Sequence, residues 1–247
     1  MIVYGRQPVR ELLAAARRPV ERVWAAPGAA REPWLAEVRV EPASPDDIAR
    51  RAGSEAHQGL CAQTTGYPYV HATELLQSST TLPKGSGIPG RVVEGVRELI
   101  VALDEVQDPQ NLGAIARTAE CAGARGLVLP ERRSAEVTPA ACKASAGAVE
   151  HLRIARVRNL ADFLGEAKAA GLWCYGADAA GRDYAAVDYT GVSVLVLGAE
   201  GKGLRPRVAS SCDELIALPI RGRIASLNVS AAAAALMYGI LQEKTRP

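Results

Sequence analysis

Aromatic side chains are scarce in this chain: they make up 4% of 247 residues, and Phe163 is the single phenylalanine. A core must therefore be assembled from Leu, Val, Ile and Ala. Histidine is also rare, and His57, His71 and His151 lack the spacing of metal ligands, so no metal is expected. The five cysteines (Cys61, Cys121, Cys142, Cys174, Cys212) are odd in number, widely spaced and contain no CxxC pair. Buried free thiols in a reducing cytosol are the economical reading. No apolar run approaches membrane-spanning length, and Arg6, Pro8 and Arg10 break up the first residues, so neither a spanning helix nor a signal peptide is expected. These absences point to a cytoplasmic protein. Strong charge is missing too: the formal net charge of +2 does not by itself argue for a nucleic-acid partner. The excess of arginine over lysine is better explained by genome composition than by phosphate contacts.

What is present is the balance of an ordinary globular protein, 48% hydrophobic and 23% charged, with length enough for one large domain or two modest ones. Residues 1–77 read as a small α/β unit. Pro8 stands where a first helical turn tolerates it, followed by Val9, Leu12, Leu13 and Ala16 at helical spacing. Val20 to Ala25 is a strand candidate. Ser44-Pro45-Asp46-Asp47 announces a helix that should end near Gly53, and His57-Gln58-Gly59 leads into a short strand, Leu60 to Thr64. From Ser78 to Gly90 the composition shifts to Ser, Thr, Gly and Pro. A flexible linker over 78–91 is expected there, separating 1–77 from 92–247; a long surface loop within one domain is the alternative.

Beyond the linker, strand and helix signals alternate, which predicts an α/β domain with a parallel sheet and helices on both faces. Six strands are expected: Leu99–Leu103, Gly126–Leu129, Leu152–Val157, Leu172–Tyr175, Val192–Leu197 and Leu215–Leu218. Helices are expected from Asn111 (as cap) to Ala122, from Thr138-Pro139 onward, over Leu160–Ala170, and from Asn228 to Glu243.

Three stretches carry more polar residues than connectors need. Gly198-Ala199-Glu200-Gly201-Lys202-Gly203 follows an apolar strand. It is not a phosphate-cradling P-loop, because Lys202 is followed by Gly203 instead of Ser or Thr. It is not a dinucleotide fingerprint either, because Pro206 stands where a small residue is required and the stretch comes late in the domain. A simple glycine turn remains open as a reading; against it stands Glu200, a carboxylate at the carboxyl end of a strand, where open α/β sheets place ligands. Leu218-Pro219-Ile220 and Ser226-Leu227-Asn228 form the second stretch. Ser226 or Asn228 alone reads as a helix cap, but Leu227 between them suits the edge of an adenine ring. The third stretch runs from Asp104 to Ala119, with Asn111 and Arg117 on different sides of a helix whose other residues are mostly small.

Together these stretches resemble the three motifs of the SpoU-type RNA ribose 2′-O-methyltransferases, an S-adenosylmethionine-dependent family with a trefoil knot. Asn111 through Arg117-Thr118 resembles the first motif, Leu197 to Leu204 the second, and Leu218-Pro219-Ile220 with Ser226 to Ser230 the third. They occur in order over residues 98–243. The front of the chain, with Val3-Tyr4-Gly5, Pro8-Val9, Leu12-Leu13 and His57-Gln58-Gly59, is similar to the ribosomal-protein-like substrate-binding domain of one branch, which includes enzymes that methylate a guanosine of bacterial 23S rRNA.

The resemblance implies a deep knot, which ordinary connection rules would argue against. It implies S-adenosylmethionine bound by Ala177, Gly198, Gly203, Leu218, Ile220 and Leu227, and it implies direct displacement, with the ribose 2′-hydroxyl attacking the sulfonium methyl. Arg117 is implied as the catalytic group, supplied across a homodimer interface that uses the final helix. A guanidinium stays protonated, so a phosphate clamp and oxyanion stabiliser is the preferred role over a literal base. Asn111, Glu200, Ser226 and Asn228 are expected to orient Arg117, the ribose and the methionine end of the cofactor. RNA, 23S rRNA first of all, is the expected partner, held by Arg91, Arg153, Arg205, Arg207, Arg221 and Arg223. A tRNA methyltransferase and a catalytically silent RNA-binding or ribosome-assembly protein are the alternatives.

Overall fold

The computed structural model describes residues 1–77, 99–189, 191–224 and 226–244. The expected linker at 78–91, and Arg91 with it, lies outside the described residues. In chain order the elements are β1 (Ile2–Tyr4), α1 (Arg6–Ala15), β2 (Val20–Ala25), β3 (Val40–Pro42), α2 (Pro45–Ala52), β4 (Leu60–Thr64) and α3 (Ala72–Gln77). There follow β5 (Leu99–Leu103), α4 (Pro109–Cys121), β6 (Gly126–Pro130), α5 (Pro139–Ala144), β7 (Ile154–Val157), α6 (Leu160–Ala169) and β8 (Trp173–Asp183). The last are β9 (Ser193–Leu197), α7 (Pro206–Ala209), β10 (Glu214–Ala217) and α8 (Val229–Lys244). Two compact units interleave along the chain. One is Met1–Tyr69 with Gln107–Glu120 and Ala135–Leu152; the other is Val70–Val106 with Cys121–Ser134 and Arg153–Pro247.

The first unit holds a four-stranded sheet in the order β1-β4-β2-β3, with β4 antiparallel to both neighbours and β3 parallel to β2. Local chemistry sets its helices. Ser44 Oγ accepts the Asp47 amide at 3.1 Å to start α2, and Gly53, at φ 62°, ends it in the left-handed conformation that glycine tolerates best. The expected cap of α4 is displaced. The helix starts at Pro109, and Asp108 Oδ1 accepts the Gln110 amide at 2.9 Å, so Asn111 lies inside the first turn. Proline at the first helical position, behind an aspartate acceptor, outcompetes an asparagine two residues on. Gly113 lets α4 meet α5 backbone to backbone, for a Cβ there would stand 2.5 Å from Ala144 Cβ and 2.8 Å from Ala141 O.

A buried ion pair knits the front segment to residues 135–152. The side chains of Arg18 and Glu150 are each 1% exposed and paired bidentately along one guanidinium edge, with Arg18 Nε to Glu150 Oε2 at 3.0 Å and Nη2 on Oε1. Arg18 Nη1 also donates to Thr65 O at 3.0 Å. Beside it, the Tyr67 hydroxyl donates to Val149 O and Leu152 O at 3.0 and 2.7 Å. Burial among these groups pushes the Cys142 thiol up to about 12.

The second unit is a six-stranded sheet in the order β10-β8-β9-β5-β6-β7, parallel at every pairing. Ile100, Ala102, Val128, Val194 and Val196 bury against Leu160, Phe163, Leu164 and Ala167 of α6 on one face. Their strand neighbours Leu99, Val101, Leu103, Leu195 and Leu197 are equally buried on the other. That is why these strands read as continuous apolar runs instead of alternating ones. β7 starts at Ile154, later than the expected Leu152, because Ala148–Glu150 forms a 3-10 turn just before it. β8 extends to Asp183, well past the expected Tyr175, since the small and polar residues after Tyr175 carry no apolar periodicity. Among the described residues no helix is long and apolar enough to cross a membrane, and no group of three His, Cys, Asp or Glu could hold a metal ion.

Removing one partner of the Arg18–Glu150 pair strands the other charge in the interior. Glu150→Gln should cost about 3–5 kcal/mol in urea unfolding, and the apolar double variant Arg18→Met/Glu150→Leu should recover most of the loss.

Candidate functional site

In a parallel sheet the carboxyl ends of all strands lie along one edge, and the turns that leave them are brought together there. The turn after β9 is closed on itself: Ala199 N donates to Gly203 O at 3.1 Å and Gly203 N to Ala199 O at 2.9 Å. Only glycine fits at 198, because a Cβ would lie 2.2 Å from Gly203 C. Gly201 and Gly203 take φ of 75° and 65°, which leaves Glu200, Gly201 and Lys202 exposed at the tip.

This turn is held from behind by Asp104, a carboxylate 1% exposed just past the end of β5. Asp104 accepts from the Arg205 backbone N–H at 2.8 Å and from Arg205 Nε–H at 2.7 Å, while its own amide donates to Leu197 O at 2.7 Å. The hydrogen bond to Asp104 raises the Arg205 pKa further. Arg205 was expected to hold RNA phosphate; instead its guanidinium is bound to Asp104, with Glu105 3.8 Å away. Arg207 likewise pairs with Asp162 at 2.9 Å. Arg221 and Arg223 are exposed.

A second wall comes from β8. Its register with β10 jumps from Gly176 opposite Leu215 to Arg182 opposite Ile216, so residues 177–181 loop out of the ladder. Glycines flank the excursion because Leu215 fills the space: a Cβ on Gly176 would meet Leu215 Cδ2 at 2.7 Å, and one on Gly181 would meet Leu215 O at 2.6 Å. Within the loop Asp178 Oδ1 accepts the Ala180 amide at 2.8 Å. The third wall is the segment after β10. There Asn228 Oδ1 accepts from Ser230 N and Oγ at 2.8 and 2.6 Å, which starts α8.

These walls enclose a cavity of about 420 Å³. All six residues expected at the cofactor line it: Ala177, Gly198, Gly203, Leu218, Ile220 and Leu227. Glu200 and Ser226 line it as well, whereas Asn228 is not among the lining residues. A second hollow of about 440 Å³ shares Ala179, Ala217, Leu218 and Ile220 with it and continues along Pro219 and Ile224. Asn111 and Arg117 belong to the first unit, where Asn111 is partly buried and Arg117 exposed on α4. Sequence reasoning missed Leu197, Asp178 and Leu236 as lining residues. Leu197 was recoverable as the last residue of its strand, but nothing in the sequence marks the loop that presents Asp178.

Residues 98–238 match the family model described as the SpoU rRNA methylase family, and residues 2–70 match RNA 2′-O ribose methyltransferase substrate binding. The chain belongs to the SpoU rRNA methylase family. It is 36% identical over 253 residues to an uncharacterised tRNA/rRNA methyltransferase of Mycolicibacterium vanbaalenii, covering 98% of this chain and 76% of that one. Its fold is similar to that of an S-adenosylmethionine-bound rRNA methyltransferase from Sinorhizobium meliloti, with a TM-score of 0.76, 26% identity and coverage of 98% and 86%. A TrmH/SpoU tRNA modifying enzyme of A. aeolicus gives a TM-score of 0.54 at 29% identity, covering 60% of this chain and 76% of that one. This SpoU-family protein is thus an RNA methyltransferase that uses S-adenosylmethionine.

The Asp104–Arg205 contact is the tether of the glycine turn. Asp104→Ala removes hydrogen bonds to a charged group, and amide exchange at Ala199 and Gly203 should accelerate at least about tenfold.

Proposed function

We propose that the protein transfers a methyl group to the ribose 2′-hydroxyl of a guanosine in 23S rRNA. The observation that carries this reading is the presence, in one chain, of a front segment matching the ribose methyltransferase substrate-binding model and a methylase segment whose three turns line a single cavity. Ribosomal RNA is favoured over tRNA because the Sinorhizobium rRNA enzyme matches 98% of the chain, whereas the tRNA modifying enzyme matches 60%. Methylation of tRNA is the second reading, supported by the tRNA/rRNA name of the mycobacterial relative.

The cavity suits the cofactor. Its volume falls in the usual range for small-molecule sites, with mostly apolar walls and few polar groups. Leu218, Ile220 and Leu227 offer apolar surface for an adenine ring, Gly198 and Gly203 allow the backbone to approach, and Ala177 adds a small wall opposite. Bound S-adenosylmethionine supplies an electrophilic methyl group on a sulfonium. The chain's own task is to align the ribose and manage charge at its 2′-oxygen. Arg117, exposed on α4, is assigned to the neighbouring phosphate and to the negative charge that develops on that oxygen. Glu200 and Ser226, at the cavity, are assigned to the methionine end of the cofactor and the ribose. Asn111 and Asn228 are assigned to orienting Arg117 and the third turn.

A homodimer completes this reading, with Arg117 supplied by one copy to the cavity of the other. Exposed apolar residues Ile220, Ile224, Leu227 and Tyr238 give such an interface material to bury. A knot is proposed for the last segment: β10 takes the sheet edge beyond β8, yet α8 returns to pack on β9 and on the turn Tyr184–Ala186. The domain division at 1–77, 78–91 and 92–247 and a cytoplasmic location belong to the same reading.

Labelled methyl from S-adenosylmethionine should appear as ribose methylation in 23S rRNA, and not in 16S rRNA or tRNA, when the product is mapped with nucleases. Label confined to tRNA would select the second reading; no label in any RNA, precursor particles included, would point to a silent binder. Arg117→Ala should bind S-adenosylmethionine as the parent does by calorimetry while losing at least about 100-fold in transfer rate. Full activity in that variant would remove Arg117 from its role.

A further inference from the structure

Two stretches of the front segment, around Gly5 and around His57-Gln58-Gly59, converge on one side chain that comes from α5. Lys143 Nζ donates to Gln58 Oε1 at 3.0 Å, and the same oxygen accepts the Arg6 backbone N–H at 3.0 Å. Gly5 stands so close that a Cβ there would lie 2.6 Å from Lys143 Nζ, and its φ of 98° is one that side-chain-bearing residues rarely adopt. Gln58 itself sits at φ 54°, an uncommon conformation for a residue with a Cβ. Glycine on one side and a left-handed glutamine on the other are thus shaped around an ammonium group.

That ammonium meets no counter-charge among the described residues. It has three donors and no acceptor, and one donor goes to a neutral amide. No carboxylate pairs with Lys143 among the described residues, whereas the neighbouring Arg6 has its own partner, Glu32, at 2.9 Å. Lys143 is partly buried, and that burial lowers its pKa, while the Gln58 contact itself lies at the surface. A contact serving only to join α5 to the front segment would need no charge at this point. The surroundings are also firm: the Arg18–Glu150 pair and the Tyr67 hydroxyl bind residues 1–69 to 135–152 in the same unit.

We propose that Lys143, presented between Gly5 and Gln58, binds a backbone phosphate of the RNA substrate. The inference rests on the proposed function and deepens it. Lys143 lies within the stretch matching the methylase model, and its two neighbours lie within the stretch matching the substrate-binding model. A phosphate bound by Lys143 there lies where the two stretches meet. The next residue, Ala144, is the one on which Gly113 of α4 packs, and Arg117 lies one helical turn beyond Gly113. The contact therefore registers the RNA backbone against the helix that carries Arg117. Phosphate contacts position without reading sequence, which is the task this location sets.

The test is the salt dependence of binding, measured by filter retention of unmodified, labelled 23S rRNA transcript at several potassium chloride concentrations. Loss of one phosphate contact makes the slope of log K against log salt shallower by about 0.7–0.9. Lys143→Gln should show that change, and Lys143→Arg, which keeps the charge, should keep the parent slope. Melting temperature and S-adenosylmethionine affinity confirm that both variants are folded. A parental slope in Lys143→Gln overturns the proposal, as does an equal loss in Lys143→Arg. Failure of the parent to methylate any RNA would count against the proposed function, and the slopes would still decide the phosphate contact.

Discussion

The buried carboxylate of Asp104 is the constraint on which the second unit's site depends. It sits at the end of one strand, takes two hydrogen bonds from Arg205, and through its backbone holds the last residue of the adjacent strand. A glycine-rich turn has little side-chain packing of its own, so without an anchor its geometry would be loosely defined. The anchor lies behind the turn, which leaves the front face to the cavity. The excursion of β8 completes the enclosure from the other side, and it too is defined by close packing, with Gly176 and Gly181 fitted around Leu215. The cavity is therefore shaped by backbone held at three points, and its polar side chains are added at the rim.

The first unit obeys a different logic. It is assembled from a front segment and from two pieces of the methylase segment, and an ion pair with almost no exposure joins the front segment to one of them, residues 135–152. A buried pair is weak evidence for stability, because desolvation offsets most of its attraction. Its value is geometric: a bidentate guanidinium–carboxylate contact has one good arrangement, and neighbours that adopt any other leave a charge unpaired. The consequence is that the segment matching the substrate-binding model and the helix bearing Arg117 share one unit.

Much of this was legible in the chain. The Ser44-Pro45 start and Gly53 stop of α2, the strand Val20–Ala25 and the buried strand Leu99–Leu103 fall where local rules put them, because caps and apolar runs act over a few residues. The parallel sheet followed from the alternation of strands and helices. The six expected cofactor residues came from resemblance to a family's motifs, and they line one cavity although they are spread from Ala177 to Leu227. Local rules failed where two signals competed or where none existed. Asp108 with Pro109 displaced Asn111 as the helix start, and the loop in β8 has no periodicity to announce it.

The amino-acid sequence by itself determined the alternation of elements and the number of strands in the six-stranded sheet, since these rest on neighbours within a turn or a strand, whereas the short strands Ile2–Tyr4 and Val40–Pro42 of the first sheet were not announced. Only the tertiary structure decided what the charged residues do. Arg205 and Arg18 are indistinguishable in sequence from the chain's other arginines, yet one tethers a turn to a buried aspartate and the other closes an interior ion pair. Lys143 reads as an unremarkable helix residue until Gly5 and Gln58 are seen on either side of it. The physical reason is that a charge takes its role from its partner and its exposure to water, and both are set by residues more than a hundred positions away in two of these three cases.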